Sequence, residues 1–149
     1  MKKTIFDPEA RASLLARMER IPPDRAPRWG KMSAPQMLCH VSDALRSALG
    51  DLPVRSRGKK PFAHPVMRWL LIYVLPWPKG APTAPELLST GPAEWRADLA
   101  VLRELAERMA ARGPGGAWPA HPLFGGLSGK AWGDLTYRHL DHHLRQFGE

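Results

Sequence analysis

The chain has 149 residues and a formal net charge of +8, from 22 lysines and arginines against 14 acids, with a single cysteine, Cys39. That length suits one domain, 1–149, with a core large enough to need no disulfides, and one cysteine excludes an internal disulfide framework and suits a reducing cytosol. The most apolar run, Trp69 to Leu75, is too short to span a bilayer, and the N-terminus turns polar before any signal-peptide stretch develops. The expectation is a cytoplasmic protein with no membrane span.

Asp7-Pro8-Glu9 is a helix start: a capping carboxylate, a proline in the first turn and an acid near the positive end of the helix. Leu14, Leu15 and Met18 give the following run an apolar side, and Pro22-Pro23 end it, which predicts a first helix over about Pro8 to Arg20. A proline-rich connection carries Trp29 to the next start signal. There Ser33 with Gln36 forms a capping box, and Pro35 is early enough to be tolerated. This second helix should run to about Leu49 and stop at Gly50. Ala34, Met37, Leu38, Val41, Ala44, Leu45 and Ala48 share one apolar arc, with His40 at its edge and Cys39 on the opposite, more polar side.

Residues 51–65 read as a basic, proline-containing loop. It holds the only cluster of positive charge, Arg55, Arg57, Lys59 and Lys60. The other basic residues are scattered through every segment and no aromatics alternate with them to stack bases, so the cluster reads as a solvated loop and not as a nucleic-acid patch. Val66 to Leu75 is apolar nearly all round, which predicts a buried or interface helix and leaves a homodimer open. Pro76, Pro78, Pro82 and Pro85 then break regular structure, and Trp77 there belongs to a loop packed over the helices or to a substrate lid. Gly91-Pro92 opens the longest predicted helix, to about Ala111, with Trp95, Leu99, Leu102 and Met109 at helical spacing. His121 to Gly126 forms a tight apolar loop, and Ser128 is a cap for the last helix.

That last helix, read over Trp132 to Phe147, carries His139 and His143. At this spacing two side chains lie one above the other, with Cβ atoms roughly 5–6 Å apart. Trp132, Leu135, Thr136, His142, Gln146 and Phe147 fall in the same arc, while Arg138, Asp141 and Arg145 point away. Histidines on a face that packing will bury need hydrogen-bond acceptors or a cation. Spacing alone does not choose between them. A third ligand would, and His40 is the candidate. Asp43, one turn after His40, is either its orienting partner or a solvated residue. Gln146 either holds a substrate or a metal-bound water or bonds to nearby backbone. Trp132 reads as pocket wall or core, and His64 and His121 as loop residues.

The capped W-G-K-M-S-A-P-Q-M-L-C-H and the final H-L-D-H-H-L-R-Q-F together resemble the DinB/YfiT-like superfamily. With H-P-L-F-G-G-L-S-G-K-A-W-G between them, they resemble a branch known only as a domain of unknown function. The resemblance spans nearly the whole chain. It implies an all-α four-helix bundle, here with an extra short helix and long Pro/Gly-rich loops. It also implies a divalent metal on three histidines, which by position are His40, His139 and His143; three imidazoles suit zinc, nickel, iron or copper alike, so the metal's identity stays open. His142 matches no ligand position and reads as a neighbour of the ligands or as surface. Relatives include transferases and isomerases that use low-molecular-weight thiols. The implied activity is therefore that of a metal-dependent transferase or hydrolase, with such a thiol or a metal-bound water as nucleophile. The rivals are a non-catalytic, stress-associated metal-binding bundle and, further off, a basic module for nucleic acid or a partner protein.

Overall fold

Local capping decides where the helices begin. A computed structural model of the chain describes residues 3–58 and 60–149, and among them every regular element is helical. Helix α1 spans Pro8–Arg20, where the Asp7 carboxylate accepts from the Glu9 and Ala10 amides. Helix α2 spans Ala34–Leu49, with both halves of the Ser33–Gln36 capping box formed. It closes on Gly50 at φ 85°, a left-handed conformation that costs glycine little. Short α3, Lys60–Ala63, interrupts the basic loop, and α4 follows at Pro65–Tyr73. A 3-10 turn, Pro85–Leu88, ends the proline-rich segment. Helix α5, Trp95–Arg112, and helix α6, Gly129–Gln146, complete the chain.

Four of these helices are long enough to pack side by side, and α1 lies on α5 and α6 while α2 lies on the same two. The core between them is aliphatic and dense, with Leu14, Met18, Met37, Leu38, Leu102, Met109, Leu144 and Phe147 almost fully buried. A smaller cluster of Ile72, Phe124 and Leu135 joins α4 and the 121–126 loop to α6. Arg138 of α6 fastens the end of α4 by donating to the carbonyls of Leu71, Ile72 and Leu75. No described helix is long and apolar enough to cross a membrane.

Several expectations change. The 91–94 stretch is not helical: Glu94, not Gly91-Pro92, starts α5, because its carboxylate accepts from the Ala97 amide. Helix α6 begins at Gly129, three residues before Trp132, where Ser128 caps it. Helix α4 is not buried. Ile72 is its one buried residue, and Val66, Trp69, Val74 and Leu75 are exposed, because only one side of α4 meets α6. Cys39 does not face solvent: it is buried beside Asp98 and Val101, since α5 covers the side of α2 opposite α6. In the basic cluster, Arg57 pairs with Glu86, while Lys59 and the side chain of Lys60 lie outside the described residues.

Ser33→Ala removes one half of the α2 capping box and should lower stability by about 1 kcal/mol, seen as a lower urea midpoint at unchanged slope. An unchanged midpoint would mean that burial alone sets where α2 begins.

Candidate metal centre

Helix α2 and helix α6 each bring histidine to the seam where they meet. One turn separates His139 from His143, so both reach the same point, and His40 reaches it from across the seam. The Nε2 atoms of His40 and His143 each lie 3.1 Å from Nε2 of His139. All three ligand atoms lie within 4.8 Å of one another, so the cluster can hold a metal ion. A tetrahedral ion with nitrogens 2.0–2.1 Å away would space them about 3.3 Å apart, so the donor set fits.

The hydrogen bonds behind the rings decide the tautomers. His40 Nδ1 donates to the Leu87 carbonyl at 3.0 Å. His143 Nδ1 donates to Gln146 Oε1 at 2.7 Å, and the Gln146 amide is oriented by its own bond to the Trp29 carbonyl at 2.8 Å. A carbonyl oxygen only accepts, so both imidazoles carry their proton on Nδ1 and leave Nε2 bare. His139 can donate Nε2–H to one of the bare nitrogens but not to both. Among these three rings, at least one bare nitrogen is therefore left without a donor, whereas a cation satisfies all three.

Electrostatics keeps the cluster unprotonated. Burial pushes His143 down to about 3, with His40 adding to the effect. His139 lies well below its ordinary value, through burial and then its neighbours His143 and His40. Burial lowers His40 as well, against the opposing bond to Leu87. Neutral imidazole is the form that ligates.

The other expected residues take different places. The Asp43 carboxylate does not orient His40. It is 1% exposed and accepts from Thr90 N, Thr90 Oγ1, Ser89 Oγ and Arg46. Asp43 acts instead on the segment just past Leu87, whose carbonyl holds His40. Gln146 serves both ends at once, His143 and the Trp29 backbone. Gly30, at φ 77°, leaves it room, since a Cβ there would stand 3.0 Å from the Gln146 nitrogen. Trp132 is in the main core, donating to the Pro119 carbonyl away from the cluster. The ring of His142 lies between Trp29 and Trp77, at 5.6 and 5.8 Å. His121 is outside the cluster: its Nδ1 accepts from the Leu123 and Phe124 amides, and burial lowers it to about 4. A groove of about 550 Å3 lined by Tyr73, Asp134, Arg138 and Asp141 contains none of the three histidines.

Sequence reasoning missed Leu87 and the backbone of Trp29, because a carbonyl that orients a ligand carries no side-chain signal. Trp77, which the sequence assigns to a loop packed over the helices or to a substrate lid, has its ring 5.9 Å from that of His139.

Two outcomes follow. Gln146→Leu removes the acceptor behind His143 and should weaken divalent-metal binding about 10–100-fold, while Gln146→Glu, which keeps that acceptor but loses the bond donated to the Trp29 carbonyl, should weaken it less. Equal affinity in both variants and wild type would remove Gln146 from the site. The metal-free protein should also lose stability on acidification. Unfolded histidines take up protons near 6.5, whereas folded His121 and His143 resist until about 4 and about 3. The unfolded state therefore binds more protons in that window, and stability falls as pH drops below 6.5. Urea midpoints recorded from about pH 7.5 to about pH 5 should decline; a flat profile would show the rings to be solvated.

No curated protein and no solved structure matches the chain. A family model does, over residues 17–149, which takes in all three histidines and the helices that carry them. The chain belongs to the family described as "Protein of unknown function (DUF1569)".

Proposed function

We propose that the protein is a divalent-metal-binding helical bundle of DinB/YfiT type, holding zinc, nickel or iron on His40, His139 and His143 and using the ion for transferase or hydrolase chemistry. The carrying observation is the pair of bare Nε2 atoms aimed at a third, with both tautomers fixed by carbonyl acceptors. The packing of α1, α2, α5 and α6, with one histidine on the second helix and two on the last, supports the superfamily reading.

Three imidazoles leave the ion at least one further position, where it would acidify a small thiol or water and make it a nucleophile near neutral pH. The chain's own part is to hold three neutral nitrogens in place and keep His40 and His143 away from water. A small-molecule substrate, in a cytoplasmic setting suited to the lone thiol, follows from this reading. Nucleic acid fits less well, since arginines on every long helix are already paired with acids, among them Arg11, Arg17, Arg46, Arg108 and Arg145.

Elemental analysis of purified protein tests the site. About one divalent ion per chain is expected in wild type, with steep loss in His40→Ala and His139→Ala and near-full retention in His142→Ala. Equal loss from His139→Ala and His142→Ala would sink this triad, and no ion in reconstituted wild type would sink the metal reading. Chelation should then abolish turnover of an electrophile by a small thiol; turnover indifferent to chelation would refute the catalytic part.

A further inference from the structure

The three ligands are not equally covered: His40 and His143 are buried, whereas the His139 residue keeps part of its surface exposed. Trp77 packs beside His139, with the ring centres 5.9 Å apart. Trp77 and Trp29 bracket His142, whose ring lies edge-on to His143 at 5.3 Å.

Each indole carries a cation. The guanidinium of Arg138 lies 5.2 Å from the Trp77 ring centre, and the ammonium of Lys79 lies 4.7 Å from that of Trp29. The two cations differ in what else they bind. Arg138 is committed to the carbonyls at the end of α4. Lys79 has no carboxylate within ion-pairing distance among the described residues, and its ammonium lies over the face of Trp29.

The position of this charge is set from both sides. The Trp29 backbone is tied to Gln146, since its carbonyl accepts from the Gln146 amide and the neighbouring Arg28 amide donates to the Gln146 carbonyl at 2.7 Å. Lys79 itself sits between Pro78 and Gly80, the latter at φ 78°, on the segment that runs from Trp77 to the Leu87 carbonyl behind His40. A cation on an aromatic face keeps its other side open to an anion.

Building on the metal reading above, we propose that Lys79, seated on Trp29, whose ring in turn meets His142, is a specificity residue that binds an anionic group of the substrate while the substrate's other end reaches the three-histidine centre. The indoles of Trp29 and Trp77 supply the apolar walls between those two ends.

A matched pair of probes tests this without knowledge of the reaction. Cobalt-loaded wild type, Lys79→Ala and Lys79→Glu would be titrated with mercaptohexanoate and with mercaptohexanol, which differ only in the terminal charge. Sulfur-to-cobalt charge-transfer absorption reads binding. Lys79→Ala should weaken the carboxylate probe about fivefold and leave the neutral probe unchanged, with a larger loss in Lys79→Glu. Raising salt should erode the wild-type preference for the carboxylate. If the variants bind both probes as wild type does, or lose both equally, the specificity role is overturned. Wild type that takes up no cobalt would instead overturn the metal reading and this proposal with it.

Discussion

Two imidazoles donate Nδ1–H to carbonyl oxygens and turn bare nitrogens toward a third imidazole, and much of the structure around the α2–α6 seam serves to keep them there. In a buried setting, a bare nitrogen left without a donor is costly, because the low dielectric magnifies the mismatch. Such an arrangement persists only if its surroundings hold it. Here the surroundings are backbone: the Leu87 carbonyl for His40 and, through Gln146, the Trp29 carbonyl for His143.

That dependence explains features that look unrelated in the chain. Asp43 binds nothing on the histidines, yet it anchors Ser89 and Thr90 just after the 3-10 turn that presents Leu87. The three prolines between α4 and that turn, Pro76, Pro78 and Pro82, limit the conformations of a long connection, so less entropy is lost when it crosses the site. Gly30 admits the Gln146 amide where a side chain would crowd it.

Helices α2 and α6 each do two jobs with adjacent faces. On α6, Leu140 and Leu144 enter the core, while His139 and His143, one residue earlier in each turn, face the seam. On α2, Met37, Leu38, Val41 and Leu45 pack inward beside His40 and Asp43. A step of about 100° per residue makes this possible, and it means that core packing itself sets the separation of the ligands. Helix α4, by contrast, has Ile72 as its one buried residue, is tied through Arg68 to the Gly126 carbonyl, through Tyr73 to Asp134 and through Arg138 to its last carbonyls, and keeps Val66 and Trp69 outside.

The ends of α1 and α2 were legible in the sequence because caps are local: Asp7, Ser33 with Gln36, and Gly50 satisfy or release backbone groups a few residues away. The pairing of His139 with His143 was legible for the same reason, being set by helical pitch. The start of α5 was misread because Gly91-Pro92 looks like an opening, while the carboxylate of Glu94 makes the bond that counts. The burial of Cys39 and the exposure of α4 depended on which neighbour covers each side, and periodicity shows only that a face is apolar.

By itself, then, the sequence determined an all-helical chain, its best-capped helices and a histidine pair on one face of the last. The tertiary structure decided that His40 joins that pair, that Leu87 and Gln146 orient the rings, and that Asp43 works through Thr90 and Ser89. The division is physical. Capping and pitch act over a few residues, whereas His40 meets His139 across 99 positions of sequence and only the packing of α2 against α6 brings them within 3.1 Å.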